Sequence, residues 1–181
     1  ETIEKTKELL IDSVRLRMKS DVPIAFCLSG GVDSSSLASI AVKEFNCKIK
    51  TFSIIDSDDR YNEIGNINTT IKELGCDSEL IELSKNNFLE NLKDLIQYHD
   101  GPVATITQYI HSLLTRSINK NEYKVAISGT ASDEIFTGYY DHFLLHLYSI
   151  KESESYQKNL SYWKEHILNF VQNPYFKDPN L

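Results

Sequence analysis

The feature that most constrains this chain is a glycine-containing turn that directly follows a short apolar segment. Residues 22–28 read Val-Pro-Ile-Ala-Phe-Cys-Leu, and residues 29–35 read Ser-Gly-Gly-Val-Asp-Ser-Ser. Apolar side chains then recur at helical spacing as far as Phe45. The sequence therefore predicts a strand, a tight turn and a helix that starts at the turn. Because such a turn brings backbone N–H groups and a helix N-terminus to one point, it predicts a phosphate or pyrophosphate site.

We call residues 29–35 the anion loop. It differs from the common mononucleotide loop, because no lysine follows its glycines. It carries a carboxylate instead, Asp33, and a carboxylate among phosphates is explained if Mg²⁺ bridges them. The alternative is an ordinary turn in which Asp33 only stabilises the start of a helix through the helix dipole.

Charge and composition restrict the possible partners. The chain has 181 residues, 26 acidic against 19 basic side chains and a formal charge of −7. This balance disfavours binding to nucleic acid or to a membrane surface, and no apolar run is long enough to cross a bilayer. The three cysteines, Cys27, Cys47 and Cys76, lack the spacing of metal ligands. We expect buried free thiols in a reducing compartment, and hence a cytoplasmic protein.

The pattern along the chain predicts an α/β fold with a doubly wound parallel sheet and flanking helices. Four apolar segments have the length of buried strands, and helical patterns separate them. In such sheets ligands bind at the carboxyl ends of the strands. We expect residues 1–150 to form an ATP-binding domain and residues 151–181 a helical extension that is cut short within a larger protein. The predicted strands are residues 22–28, 48–55, 78–83 and 123–128.

A second motif follows the last predicted strand. Residues 128–139 read Ser-Gly-Thr-Ala-Ser-Asp-Glu-Ile-Phe-Thr-Gly-Tyr. Its carboxylate Asp133 could join Asp33 in holding Mg²⁺ against a triphosphate. Taken alone, the motif is also explained as the acidic start of a helix.

Together the two motifs resemble the synthetase domain of the asparagine synthetases, which belongs to the PP-loop ATP pyrophosphatases. The resemblance runs from about residue 8 to residue 145. It rests on the anion loop with the segment leading into it, on Tyr61-Asn62-Glu63 after the second strand, and on residues 128–139. Other PP-loop enzymes share the first string but not the other two.

The resemblance implies ATP and Mg²⁺ as cofactors and assigns roles to single residues. Asp33 and Asp133 would be the catalytic metal ligands, and Glu134 and Tyr139 would support them. Pyrophosphate binding is assigned to Ser29, Gly31, Ser34 and Ser35, with Gly30 and Val32 in the same loop, and adenosine binding to Leu28, Ile54 and Gly129.

The implied reaction adenylates a substrate carboxylate, releases pyrophosphate, and lets ammonia displace AMP to form an amide. The ammonia would come from a glutaminase domain in the full-length chain. A basic segment with a catalytic lysine is expected beyond residue 181, so residues 1–181 alone should be inactive. One departure from the family pattern concerns Thr130, where a glutamate is usual, and a milder one concerns Thr137.

Three functions therefore remain open. The chain could form amides, on aspartate or on another carboxylate such as a sugar acid in cell-surface polysaccharide synthesis. It could be a nucleotide-binding module without catalysis, which the neutral Thr130 would favour. A tRNA- or nucleotide-modifying PP-loop enzyme would call for a basic surface or catalytic cysteines, and neither is evident in the sequence.

Overall fold

The computed structural model describes residues 1–56, 58, 63–83, 86–171 and 173–179. The chain divides into two compact units, Glu1–Gly129 and Thr130–Leu181. The first unit contains the sheet, and the second contains helices. The boundary near residue 150 between an ATP-binding domain and an extension stays a prediction.

The first unit is built on a four-stranded sheet whose order is β3-β2-β1-β4. All neighbouring strands are parallel, and Ala25 in β1 pairs with Lys50 on one side and Ala126 on the other. This confirms the predicted parallel α/β sheet. The strands are β1 (Ile24–Cys27), β2 (Lys50–Ile55), β3 (Asp77–Glu82) and β4 (Val125–Ile127).

Helices connect these strands, as the alternating pattern predicts. The longest begins the chain and carries charged residues along most of its surface. α3 ends at Gly75, which has a left-handed backbone with φ of 58° and acts as the C-cap. The helices of this unit are α1 (Thr2–Arg17), α2 (Val32–Lys43), α3 (Ile64–Leu74), α4 (Phe88–His99) and α5 (Ile106–Lys120).

The hydrophobic core lies on both faces of the sheet. Phe26 packs with Ala38 and Ala41 of α2 on one face. Ala25, the preceding residue, packs with Phe52 and Ile118 on the other. Successive strand residues point to opposite faces, so helices can cover both sides of β1. Phe26 and Phe52 are fully buried, and each such side chain stabilises the fold by about 1.5–3 kcal/mol.

The second unit is made of short helices separated by two breaks. The first break is at Thr137, whose φ is 59°, and the second is at residues 150–155, next to the start of the predicted extension. A left-handed residue next to Gly138 ends the first helix, and a polar segment separates the next two. The helices are α6 (Ser132–Phe136), α7 (Tyr140–Ser149) and α8 (Tyr156–His166), followed by single 3-10 turns at Leu168–Phe170 and Pro174–Phe176.

The three cysteines are free thiols, as predicted, but they are half-buried rather than fully buried. Burial raises the pKa of the Cys27 and Cys76 thiols. Within the described ranges, each helix is too short or too polar to cross a bilayer.

Candidate functional site

The candidate site lies where the connections leave the sheet in opposite directions. After β1 the chain moves to β2 and then β3 on one side, whereas β4 is placed on the other side of β1. The carboxyl ends of β1 and β4 therefore form a topological switch point, which is the position where open α/β sheets bind ligands. The anion loop follows β1, and Gly129 follows β4, so parts of both sequence motifs meet at this edge.

The anion loop turns sharply at Gly30, whose φ of 86° is a left-handed conformation that favours glycine. The N-terminal end of α3 lies close to the same residue. A Cβ added to Gly30 would come within 2.9 Å of the Glu63 Cβ and 3.1 Å of the Glu63 carbonyl oxygen. Gly30 is thus required both by the turn and by the packing of α3 against it.

Serine hydroxyl groups of the anion loop form hydrogen bonds within the loop itself. The Ser34 side chain is buried, with 5 % of its surface exposed. Its Oγ accepts a hydrogen bond from the Ser29 N–H at 3.1 Å, lies 3.0 Å from Ser29 Oγ, and contacts the Gly31 carbonyl at 3.3 Å. In this structure Ser34 stabilises the loop's own backbone. Its binding to pyrophosphate stays a prediction.

The second half of the anion loop is the first turn of α2, and an anion is favoured at this helix N-terminus. Gly31 is the N-cap and has an extended backbone, so it contributes no capping side chain. Val32 follows in the first turn and is 79 % exposed. Among the described residues, no side chain caps this helix, which leaves its first N–H groups available for hydrogen bonds to a ligand.

Gly129 closes the site from the β4 side. A Cβ at this position would lie 3.0 Å from Asp33 Cβ and 3.0 Å from the backbone nitrogen of Ser34. The absence of a side chain therefore lets the end of β4 approach the first turn of α2 closely. A cradle of this kind fits a phosphate group, which needs close approach to backbone N–H groups.

Two of the predicted adenosine contacts lie at the same end of the sheet. The Leu28 N–H donates to the Phe52 carbonyl at 2.9 Å, which continues the pairing of β1 with β2 past the last strand residue. Its side chain is 2 % exposed and offers little surface to a ligand. Ile54 is half-buried near the end of β2, opposite Ile81. Adenosine binding by Leu28, Ile54 and Gly129 stays a prediction.

The second motif is held together by contacts within its own unit. The Gly138 N–H donates to the Asp133 carbonyl at 3.0 Å, and a Cβ on Gly138 would overlap the Asp133 carboxylate. The Tyr139 hydroxyl donates to Glu134 Oε1 at 2.7 Å. This hydrogen bond lowers the pKa of Glu134 and raises the pKa of Tyr139. Thr130 is exposed at the start of the unit.

The two predicted metal ligands belong to different units, Asp33 to the first and Asp133 to the second. Within the part of the chain that the structure describes, no three His, Cys, Asp or Glu side chains are grouped to hold a metal ion. A cation that arrives with a nucleotide needs only one or two protein carboxylates, because phosphates and water supply the other ligands. The half-buried Asp33 fits that donor set, and its joint use with Asp133 stays a prediction.

Sequence reasoning included Glu63 in the family resemblance but missed the polar side of α3 that continues from it. Glu63, Asn66 and Thr70 follow at helical spacing on one side of the helix, whereas Ile67 on another side is buried. Glu63 and Asn66 adjoin Gly30, and Thr70 Oγ1 lies 3.4 Å from Ser35 Oγ. We call these three residues the α3 face. The residues before it that entered the predicted resemblance, 61 and 62, lie outside the described residues.

Comparison with known families decides the assignment. A family model described as asparagine synthase matches residues 5–176. This chain belongs to the asparagine synthase family. The predicted resemblance is thereby confirmed. In this family member, the anion loop and the Ser-Gly pair that follows β4 lie at the sheet edge described above.

Two curated relatives of this asparagine synthase family member have similar degrees of sequence identity to it, 31 % and 29 %. It is 31 % identical over 137 residues to glutamine-hydrolyzing asparagine synthetase 1 of Bacillus subtilis, covering 76 % of this chain and 21 % of that protein. It is 29 % identical over 153 residues to the amidase chyE of Penicillium rubens, covering 77 % of this chain and 23 % of that protein. The chain thus spans about a fifth to a quarter of the length of these curated relatives.

A solved structure supports the same fold for the family member. The NH3-dependent NAD synthetase of Campylobacter jejuni aligns with a TM-score of 0.50 at 15 % identity, covering 96 % of this chain and 90 % of that one. At this level of identity the likeness concerns the α/β fold alone.

Proposed function

We propose that this chain is the nucleotide-binding part of an ATP-dependent amide-forming synthetase. The observation that carries the proposal is the cradle at the switch point, where the anion loop, the N-terminus of α2 and Gly129 meet. Its geometry suits the phosphates of a nucleotide, and membership of the asparagine synthase family supports ATP as that nucleotide.

In the proposed reaction a carboxylate oxygen of the substrate attacks the α-phosphorus of ATP. The bond from that phosphorus to the bridging oxygen breaks, which gives an acyl-adenylate and pyrophosphate. The nitrogen of ammonia then attacks the carbonyl carbon, AMP leaves, and a proton is lost to give the amide. The balance needs no further reactant, and the ammonia would come from a glutaminase domain of the full-length protein.

The chain's own residues would act mainly by binding and orienting. The uncapped N–H groups at the start of α2 would stabilise the negative charge that builds on the leaving pyrophosphate. Ser29 and Ser35 would add hydroxyl donors, and the buried Ser34 would keep the loop in shape before the ligand arrives. Mg²⁺ bound to the phosphates beside Asp33 would supply further charge neutralisation.

Thr130 favours a second candidate function within the same chemistry. It stands at the third residue after β4, where a family member acting on aspartate would carry a glutamate. A neutral hydroxyl cannot accept a proton or fix an ammonium group as a carboxylate does. We therefore propose that the acceptor is a carboxylate other than aspartate, such as a sugar acid. A nucleotide-binding module without catalysis remains the alternative if no acceptor promotes AMP release.

Isothermal calorimetry with Mg-ATP and with Mg-pyrophosphate tests the proposal. The wild-type protein should bind both, and Asp33→Asn should weaken the Mg²⁺-dependent binding by about tenfold or more, because hydrogen bonds and ion contacts of a charged group contribute roughly 1.5–3 kcal/mol. Asp12→Asn is the matched control, because Asp12 is an exposed carboxylate on α1 that pairs with Arg15 at 2.6 Å. Equal affinity of wild type and Asp33→Asn would remove Asp33 from the metal site, and no binding by wild type would overturn the proposal.

A further inference from the structure

The α3 face contacts the anion loop at two places. At the first, Gly30 lies against the backbone and Cβ of Glu63. At the second, Ser35 in the first turn of α2 meets Thr70 on the second turn of α3, with 3.4 Å between the two hydroxyl oxygens. Both hydroxyls are half-buried, so water competes with this contact less than it would at an exposed position.

From this arrangement we propose that Thr70 is a positioning residue for the ligand-binding hydroxyl of Ser35. The inference rests on the proposed nucleotide-binding function. Thr70 would not touch the nucleotide. It would donate its proton to Ser35 Oγ, and the single proton of Ser35 would then be free to point at a phosphate oxygen.

The hydrogen-bonding capacity of a hydroxyl explains why the direction matters. Each hydroxyl has one proton and two lone pairs. If Ser35 donates to Thr70, it presents only lone pairs to an anion and repels it. If Thr70 donates to Ser35, the two bonds run in the same direction and polarise each other. An anion at the loop therefore selects the second arrangement.

The neighbouring threonine shows that the contact is particular to Thr70. Thr69 Oγ1 donates to the Gly65 carbonyl at 2.8 Å, which is a common use of a threonine hydroxyl inside a helix. Thr69 is exposed, and its hydroxyl serves its own helix. Thr70 is instead directed across to α2. Two adjacent threonines on α3 thus form a matched pair, of which only one reaches the anion loop.

Binding of pyrophosphate and of ATP, each with Mg²⁺, tests the inference by calorimetry on wild type, Thr70→Val, Thr70→Ser and Thr69→Val. Valine keeps the shape of threonine and removes the hydroxyl. We expect Thr70→Val to weaken binding of both ligands by about fivefold, the usual contribution of one hydrogen bond. Thr70→Ser should bind like wild type, because it keeps the hydroxyl, and Thr69→Val should also bind like wild type.

A double-mutant cycle with Ser35→Ala separates positioning from a general effect on the fold. Once the Ser35 hydroxyl is absent, Thr70→Val should cause no further loss of affinity. An additive loss in the double variant, or unchanged binding by Thr70→Val, overturns the role of Thr70 while the proposed nucleotide site stands. Absence of binding by the wild-type protein overturns both. Circular dichroism melts of all variants identify any loss that comes from unfolding.

Discussion

Gly129 at the end of β4 lies directly against Asp33 in the first turn of α2. A Cβ on Gly129 would be 3.0 Å from Asp33 Cβ and equally close to the backbone nitrogen of Ser34. The two residues are far apart in sequence, and the pairing of β4 with β1 brings them together. The residue predicted to bind Mg²⁺ is therefore packed against the one residue type that allows so close an approach.

The first prediction follows from that contact. Gly129→Ala should lower the affinity for Mg-ATP and destabilise the protein by about 1–3 kcal/mol, because the new methyl group meets backbone atoms that cannot rotate away. Calorimetry and denaturant unfolding measure the two effects. Gly65→Ala in α3 is the control, because a Cβ there meets no atom within 4 Å. It should be neutral or stabilise the helix by roughly 0.5–1 kcal/mol. Normal ATP affinity in Gly129→Ala would contradict the prediction.

The second prediction concerns Gly30 and compares two glycines with left-handed backbones. Gly75→Ala should lose about 1 kcal/mol of stability through backbone strain alone, since the space around Gly75 is empty. Gly30→Ala should lose more, because its Cβ also meets Glu63, and it should bind ATP less tightly. Thermal unfolding with and without Mg-ATP measures both. Equal behaviour of the two variants would show that the α3 face does not shape the loop.

The third prediction uses the hydrogen bonds of Glu79 on β3. Ser117 of α5 and Asn121, the residue that follows this helix, donate to its carboxylate, the latter at 2.8 Å. They lower its pKa, with Ser117 the larger cause and Lys50 a smaller one. Because the folded pKa is below the unfolded value, the contribution to stability is present above the unfolded pKa and is lost as pH falls through the folded pKa.

Ser117→Ala should therefore lower the free energy of unfolding at neutral pH by up to about 1 kcal/mol, since solvent weakens the bond to a partly exposed carboxylate. The difference from wild type should shrink in acid, where Glu79 is protonated in both proteins. Urea unfolding across a pH series measures it, and NMR titration of Glu79 should show its pKa rising in the variant. A difference that is constant with pH would mean that the serine acts through packing only.

The fourth prediction concerns Thr130 and the identity of the acceptor. In the full-length protein supplied with ammonia, AMP release should be slow with aspartate and faster with a member of a panel of sugar acids. If a carboxylate at this position acts in acid–base catalysis, its absence lowers the rate with aspartate by roughly 10²–10⁴-fold. Thr130→Glu should raise aspartate-dependent AMP release, whereas Thr130→Val should not. Rapid asparagine formation by the wild-type protein would show that the threonine is a tolerated variation.

The sequence predicts the elements of this fold better than their arrangement. Short apolar runs such as residues 24–27 and helical spacing after Gly31 reflect local physics, so β1 and α2 are found close to where they are expected. Which strands pair with β1 depends on contacts between residues far apart in the chain. The local pattern of residues 123–128 does not indicate that this segment pairs with β1. The general rule that ligands bind at strand ends was enough to select the edge, but not to order its strands.

Side-chain directions within the site were harder to predict. The string Ser-Gly-Gly-Val-Asp-Ser-Ser gives no sign that Ser34 is buried while Ser29 is exposed, because both are small polar residues of one short loop. Asn66 and Thr70 of the α3 face were missed for a related reason. Its residues are ordinary polar residues of an amphipathic helix, and only the close approach of Gly30 and Ser35 distinguishes them from a solvated surface.

The strand order also has a consequence for how the chain reaches its folded state. β1 pairs with β2 through a local crossover, whereas its pairing with β4, as at Ala25 and Ala126, closes a loop of roughly 100 residues and carries a larger entropic cost. The cradle exists only once this long-range pairing has formed. A nucleotide that binds the cradle therefore stabilises the most distant contact in the sheet by mass action, and the thermal stability of the strand pairing should rise with ligand concentration.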